Sequence, residues 1–365
     1  MGETVRVVRR EDVPAVAGMF SRIFMKRRGA PGALLTAYIE DLLFAKAGDD
    51  GEARSRVFVD DHGDVRGFIG VWPRRMLLDG RSIEAAAAGS MMVDQPQEHP
   101  TAGARLLRAY LAGPQDLSFS ETANDISQRM WERVGGERLP TTSLDWLRVL
   151  RPAGFCVATA TRAFGPAWML GPVAAGVDRL AEIAGFKALQ PPEESAGFRD
   201  AEASTAEIVE LIPQLSRSYG LHPDWRSPDL SMLLSHAATK ERYGELNRRI
   251  VYARNGAPVA CYLYYARRGD TARVLQMLAL PQATGAALSS LLRHSAALGC
   301  VAVRGRADPG MFDALVAQRC LFYHGSAMVV HARDKALLEH VRRSRALLTG
   351  LAGESWNRLI GGSFA

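Results

Sequence analysis

The stretch of the chain richest in chemistry runs from Met91 to Gly113, "MMVDQPQEHPTAGARLLRAYLAG". An apolar segment closing on Met91, Met92 and Val93 gives way to a polar, proline-bearing turn. A helical pattern then opens at Thr101, Ala102, Gly103 and Ala104. Four small residues at a helix start leave backbone N–H groups uncovered with the positive end of the helix dipole behind them, which suits an anion such as a pyrophosphate. The Thr101 hydroxyl adds a bond or caps the helix. Glu98 opposes this, since a carboxylate about 4 Å from a phosphate repels it by about 1 kcal/mol in water; the cradle requires Glu98 to point away. The plainer reading is a proline-led helix start with small residues for close packing. His99, in the same turn, either touches a phosphate or faces solvent.

Two carboxylates could remove a proton from a substrate. Glu84 precedes four alanines, Ala85 to Ala88, which leave room beside it; otherwise it is a plain hairpin carboxylate. Glu121, in "SFSETAND", ends a strand, where open α/β sheets meet their ligands. Its plainer reading is a solvated carboxylate helping the helix at Asn124 to begin. "LHPDWRS" groups His222, Asp224, Trp225 and Arg226 as a substrate rim or a packed loop.

The elements that must position these residues come in two similar sets. "RVFVDDHGDVRGFIGVW" from Arg56 and "RIVYARNGAPVACYLYY" from Arg249 are each a strand, a polar turn ending in glycine (Gly63, Gly256) and a second strand, at equal offset. Each follows a helical region: Val13, Val16, Met19, Phe20 and Ile23 share one face in the first half. In the second, Ser204 and Glu207 form a capping box ahead of Ile208, Leu211, Ile212 and Leu215. After each hairpin come a strand, a helix ("TAGARLLRAYLAG"; "ATGAALSSLLRHSAALG"), a short strand, a helix and a closing strand ("LDWLRVL"; "SAMVVHA"). The doubled β-α-β order predicts two α/β domains of common ancestry. We expect an N-terminal domain over 1–150 and a Pro/Gly-rich linker over 151–196, with a helix near Val177 to Ile183. A C-terminal domain over 197–334 and a helical tail over 335–365 follow. The apolar centre of the linker, "FGPAWMLGPVAAGV", is expected to pack between the two domains rather than lie on a membrane surface.

Composition bounds the partners. Apolar residues at 47% and charged residues at 23% describe a globular chain. The net charge of +6 is spread, with lysine only at 26, 46, 187, 240 and 335, and no basic face speaks for nucleic acid. The four cysteines form no CxxC pair, and three sit in apolar runs, as buried thiols in a reducing compartment do. No metal site is expected. No run reaches the roughly 20 apolar residues of a membrane span, so a cytoplasmic protein is expected.

Two motifs, in order, make the N-terminal half resemble the GNAT superfamily of acyl-CoA-dependent N-acyltransferases. The first is Met91 and Val93, then Glu98 to Gly103, then Leu106 and Leu107, set against a strand, a glycine-bearing loop and a helix with leucine pairs. The second is Asn124, Ser127, Trp131 and Gly135. The resemblance covers about 4 to 150 and returns, weaker, over about 197 to 333, where Gly285 to Leu288 align with Gly103 to Leu106. It implies two GNAT-like domains, each a mixed, mostly antiparallel sheet flanked by helices. It further implies an acyl-CoA co-substrate, acetyl-CoA or another, held by Met91, Met92, Val93, Thr101, Ala102, Gly103, Ala104, Asn124 and Trp131; the candidates for the catalytic base remain Glu121 and Glu84, from their own positions. The family's carbonyl-polarising N–H maps to about Met91 to Val93, and its proton-donating Tyr to Trp131, which has a donor N–H but no usable acid. Pro281 and Val316 make the second half the degenerate one, completing a substrate cleft or bracing the first half. The implied reaction is acyl transfer to the amine of a small molecule or sugar. The alternatives are an inert acyl-CoA-binding or metabolite-binding protein and an aminoacyl-tRNA-dependent peptidyltransferase.

Overall fold

The computed structural model describes residues 2–44, 55–164, 169–183, 192–343 and 345–364. The first sheet has the order β1 (Thr4–Val7), β2 (Arg56–Val59), β3 (Val65–Leu78), β4 (Arg81–Val93), β5 (Leu117–Ala123), β15 (Ala327–Ala332), β6 (Glu137–Arg138), with β9 (Leu221–Pro223) added beside β3. The second runs β14 (Leu321–His324), β7 (Leu144–Val149), β13 (Ala302–Arg306), β12 (Thr271–Ala279), β11 (Pro258–Ala266), β10 (Glu245–Ala253), β8 (Phe198–Glu202). Each is antiparallel except at one place, β4 with β5 and β12 with β13. The fold class is therefore the expected one: two mixed sheets flanked by helices. The repeated hairpins are β2–β3 and β10–β11, and both turn glycines take the left-handed backbone, Gly63 at φ +91° and Gly256 at φ +81°.

Helices α1 (Val13–Ile23) and α2 (Ala33–Phe44) cover one face of the first sheet, while α3 (Ala102–Leu111) and α4 (Asp125–Arg133) cover the other. Between the two sheets lie α7 (Thr205–Ser216) and α8 (Ser227–Ala238), and α7 opens on the expected capping box, Ser204 N–H to Glu207 at 2.8 Å and Glu207 N–H to Ser204 Oγ at 3.2 Å. The largest core cluster joins Trp72, Met76 and Phe119 of the first sheet to Leu263, Tyr265 and Leu275 of the second through these helices. Helix α9 (Thr284–Ala297) and α10 (Phe312–Ala317) close the far side.

The closing strands lie in exchanged places. β7, from the 1–150 block, pairs with β13 and β14 in the second sheet; β15, from the 197–334 block, pairs with β5 and β6 in the first. Both strands carry the alternation a sheet needs, and that alternation names no partner.

Two further expectations change. The tail is helical only over α11 (Lys335–Arg343); from 345 to 364 it is a run of turns whose Leu347, Leu348, Leu351, Trp356, Leu359 and Phe364 are buried. Its glycines allow this: Gly350 takes φ +68°, and a Cβ on Gly353 would lie 2.6 Å from the Glu121 carboxylate. The linker forms two helices, α5 (Pro152–Phe164) and α6 (Gly171–Ile183), and its apolar residues face outward. Met169, Leu170, Val173, Val177 and Leu180 are 52–67% exposed, because α7, α8 and the tail already fill the space between the sheets. Residues 165–168 of that run lie outside the described residues, as do Lys46 and Lys187. Cys261, Cys300 and Cys320 are buried, Cys156 is exposed, and all four are free.

A chain ending at Leu150 lacks β9, β15 and the tail. It is expected to show no cooperative thermal transition by circular dichroism, and addition of a 151–365 fragment should restore one. A sharp transition in the short chain alone would show that the exchange is dispensable.

Candidate active site

Ala85, Ala86 and Ala87 are almost wholly buried, each facing a partner on β5: Leu117, Ser118 and Phe119. Beyond them β4 and β5 no longer pair. Tyr110 of α3 stands at the parting point, its Oη donating to the Ala86 carbonyl at 2.5 Å and accepting the Phe119 N–H at 3.2 Å. In a parallel ladder these two backbone groups would bond each other; the interposed hydroxyl holds the strands apart. Burial raises the Tyr110 pKa well above its ordinary range, so it stays a neutral donor. Three residues further on, β4 bulges against β3: the register jumps between Phe68–Met92 and Gly70–Gly89, and Ser90 takes φ +52°.

The opening between the strands is occupied by a residue from the far end of the chain. Glu354 is fully buried; its Oε1 accepts the Ser120 hydroxyl at 3.0 Å, the Thr122 N–H at 3.1 Å and the Thr122 hydroxyl. Among the described residues its Oε2 has no hydrogen-bond partner. Glu354 and the six-membered ring of Trp72 both border Gly89, where a Cβ would come within 2.9 Å of the Trp72 ring and 3.0 Å of Glu354 Cδ. A buried carboxylate oxygen left unmet is a place for a polar group that the described residues do not supply.

Glu121 holds this arrangement. Its carboxylate, 2% exposed, accepts the N–H groups of Gly350 (2.8 Å), Glu354 (2.9 Å) and Ser355 (2.5 Å). Lys240 Nζ donates to the Ser355 carbonyl at 2.5 Å, and Gln276 of the second sheet receives the Leu351 N–H at 3.1 Å. Burial, aided by the charge of Glu121, pushes Glu354 up to about 8. Burial likewise pulls Lys240 down to about 7, with Glu121 opposing.

Helix α3 presents the other feature. Thr101 makes no capping bond, and among the described residues the N–H groups of Gly103 and Ala104 meet no acceptor. Glu98 is turned onto the Gln95 amide at 3.0 Å, away from those N–H groups. Met91 and Val93 lie on the α3 side of β4, and Met92 lies on the α1 side. Gly103 faces Met130 and Val93 at van der Waals distance, and Ala102 is buried. His99 stands 3.5 Å from Glu3, against Phe58.

Other expected residues are used differently. Glu84 is exposed, 3.4 Å from Arg75, at the closed end of the β4–β5 ladder; the alanines after it are packed on both sides and leave no space. Glu121 is not solvated: its oxygens accept three backbone N–H groups of the tail turn. Asn124 caps α4 by accepting the Ser127 N–H at 2.9 Å. Trp131 is 2% exposed and lies edge-on to Tyr110 with ring centroids 5.9 Å apart, which leaves no face for a cofactor. In the 222–226 loop, His222 pairs with Leu77 in the first sheet, and Trp225 donates to Ser216 Oγ at 2.9 Å beneath the Arg74 guanidinium. His222, Asp224 and Trp225 also border a cavity of about 550 Å³. Sequence reasoning missed Glu354, Tyr110 and Lys240. For Glu354 the only signal was a carboxylate between two glycine-flanked turns, 233 residues from its partner.

No protein-family model and no curated protein matches this sequence. Among solved structures, the chain is similar to a GCN5-related N-acetyltransferase from Anabaena variabilis (TM-score 0.60, 10% identity, 91% of this chain and 73% of that one). It is similar to a conserved protein of unknown function from Enterococcus faecalis V583, described as a probable N-acyltransferase (TM-score 0.59, 14% identity, 91% and 73%). It is also similar to the Saccharomyces cerevisiae N-myristoyltransferase with bound myristoyl-CoA (TM-score 0.51, 9% identity, 90% and 82%). The fold is that of the GCN5-related N-acyltransferases. No helix is long and apolar enough to cross a membrane among the described residues.

Between its ordinary 4.5 and about 8, Glu354 keeps in the folded state a proton that the unfolded chain has released. Its contribution to stability is therefore complete below about pH 4.5 and weakens as pH rises toward 8. Glu354→Gln should flatten that part of the curve of Tm against pH, and a curve parallel to the parent's would remove Glu354 as its cause. Tyr110→Phe strands the Ala86 carbonyl or lets the strands close, and is expected to cost about 1–3 kcal/mol by chemical denaturation.

Proposed function

We propose that this protein is an N-acyltransferase that moves an acyl group from acyl-CoA to an amine, and that Glu354 rather than Glu121 or Glu84 receives the proton. The observation carrying this is the parted β4–β5 pair with an unengaged, buried carboxylate oxygen standing in the opening. The uncovered N–H groups of Gly103 and Ala104, with Thr101 beside them, suit the phosphates of CoA. The β4 backbone from Met91 to Val93, freed from β5, suits the amide-bearing arm. Acyl-CoA, when bound, supplies a thioester as acyl donor. Glu354 Oε2 accepts the proton of the attacking amine as its nitrogen bonds the thioester carbonyl carbon; the C–S bond then breaks, and CoA leaves as a thiolate that takes its proton from solvent. A carboxyl near 8 is well matched to accepting the amine proton at neutral to alkaline pH. Glu121 and Lys240 act as positioning residues, fixing the turn that carries Glu354. The acceptor is a small-molecule or sugar amine, and these roles are the same for an acetyl or a longer acyl chain.

The second reading, a CoA-binding protein without turnover, draws on the complete burial of Glu354 and on Trp131 standing where an ionisable donor is expected. Thiol release from acetyl-CoA across a panel of amines separates the two. Turnover that rises with pH through about 8 and then levels supports the transferase. CoA binding with no thiol release for any amine supports the binding protein. Glu354→Gln is expected to lower kcat by about 10²-fold or more with CoA affinity unchanged; an unchanged kcat removes Glu354 from the chemistry. Gly103→Trp should abolish CoA binding in a folded protein, and unaltered affinity would refute the cradle.

A further inference from the structure

A second concave site lies away from the parted β4–β5 pair. Helices α5 and α6 stand over the turn between β11 and β12 and the segment leading into β13, and enclose a cavity of about 870 Å³. The volume falls in the range of small-molecule sites. It borders the starting ends of β12 and β13, whereas α9 begins beyond the other end of β12. At about 3.3 Å per residue, the nine residues of β12 put roughly 30 Å between the cavity and that helix start.

Arg151, Arg162, Arg179, Arg267 and Arg268 line the cavity, against two carboxylates, Asp178 and Asp270. The carboxylates are committed elsewhere. Asp178 accepts the N–H groups of Ala153 (2.9 Å) and Gly154 (2.8 Å) and so fastens α6 to the start of α5. Asp270 pairs with Arg162 and accepts the Thr271 N–H at 2.6 Å. The other four arginines meet no carboxylate among the described residues. Arg151 and Arg267 each donate to one backbone carbonyl, Ala296 at 3.3 Å and Glu241 at 2.7 Å, and Arg179 and Arg268 meet no acceptor among the described residues. Burial lowers the pKa of Arg162, with a lesser contribution from Arg304 and Arg242 outside the cavity. The walls between the arginines are apolar: Val157, Ala158 and Val301.

We propose that this cavity binds a multiply charged phosphate ester. Guanidinium forks match phosphate oxygens in pairs, and charges left without counter-ions around a concave, partly apolar volume attract a polyanion with an organic portion. The same chemistry has two sources, a soluble phosphorylated compound or the head group of an anionic lipid. The outward stripe of Met169, Leu170, Val173, Val177 and Leu180 on the same helix pair bears on the second.

Two probes distinguish them: inorganic pyrophosphate by calorimetry, and vesicles of phosphatidylglycerol against phosphatidylcholine by co-sedimentation. Four proteins are compared: the parent, the Arg267→Ser/Arg268→Ser double variant, Arg179→Ser from the opposite wall, and Gly103→Trp. The arginine variants change surface residues only, and the folding of every variant is checked by Tm. Saturable pyrophosphate binding, weakened at least tenfold by the double variant, weakened by Arg179→Ser and retained in Gly103→Trp, establishes the site with a soluble ligand. Association with phosphatidylglycerol vesicles alone, lost in the same variants, establishes the site with a lipid head group. Binding of neither probe, or binding that the arginine variants leave unchanged, overturns the proposal.

Discussion

The centre of this molecule depends on the carboxylate of Glu121. A buried carboxylate is costly unless its oxygens are met by donors, and here three backbone N–H groups of one turn meet them while Lys240 binds the carbonyl of the same turn. That satisfaction requires the tail to enter the space between the sheets, and it requires glycine at 353, where any side chain would strike the carboxylate. Once the turn is seated, Glu354 has one place to go: between β4 and β5, against Gly89 and Trp72. Two acidic groups in one dry region cannot both ionise cheaply. Burial, aided by Glu121, holds Glu354 toward its protonated form.

The exchange of β7 and β15 has the same consequence at larger scale. Each sheet is completed by a strand from the other part of the chain, and α7, α8 and the tail bury a core common to both sheets. The parted strands, the bulge at Ser90 and the inserted carboxylate thus rest on one cooperative unit rather than on a single half. Solved structures with 9–14% identity share this fold, as expected if it rests on pattern and topology more than on particular side chains.

Much of the local structure was legible. The hairpins at Arg56 and Arg249, the Ser204–Glu207 capping box and the α3 start all follow from short-range rules: turn glycines, alternation, small residues before a helical stripe. The site was legible only in part. Gly103 and Ala104 do present free N–H groups, and Glu98 does turn away, by bonding to Gln95. Glu84 looked roomy because alanines are small, but small residues in a central strand are pressed closely by their neighbours. Trp131 matched a motif by spacing, while its size and apolarity sent it into the core beside Tyr110. Glu121 was singled out by its address at a strand end, and its duty there is to bind the tail.

By itself the sequence determined the two hairpins and the strands and helices that follow them, that these come twice in the same order, and where a helix opens with uncovered N–H groups. Those properties depend on residues a few positions apart. Only the tertiary structure decided which sheet receives each closing strand, that residues 345–364 are turns rather than helix, and that Glu354 meets Glu121, Ser120 and Thr122 across more than 200 residues of chain. A strand's alternation is satisfied by any sheet edge and a carboxylate by any set of donors. The choice among them is made by what else must be buried at the same time.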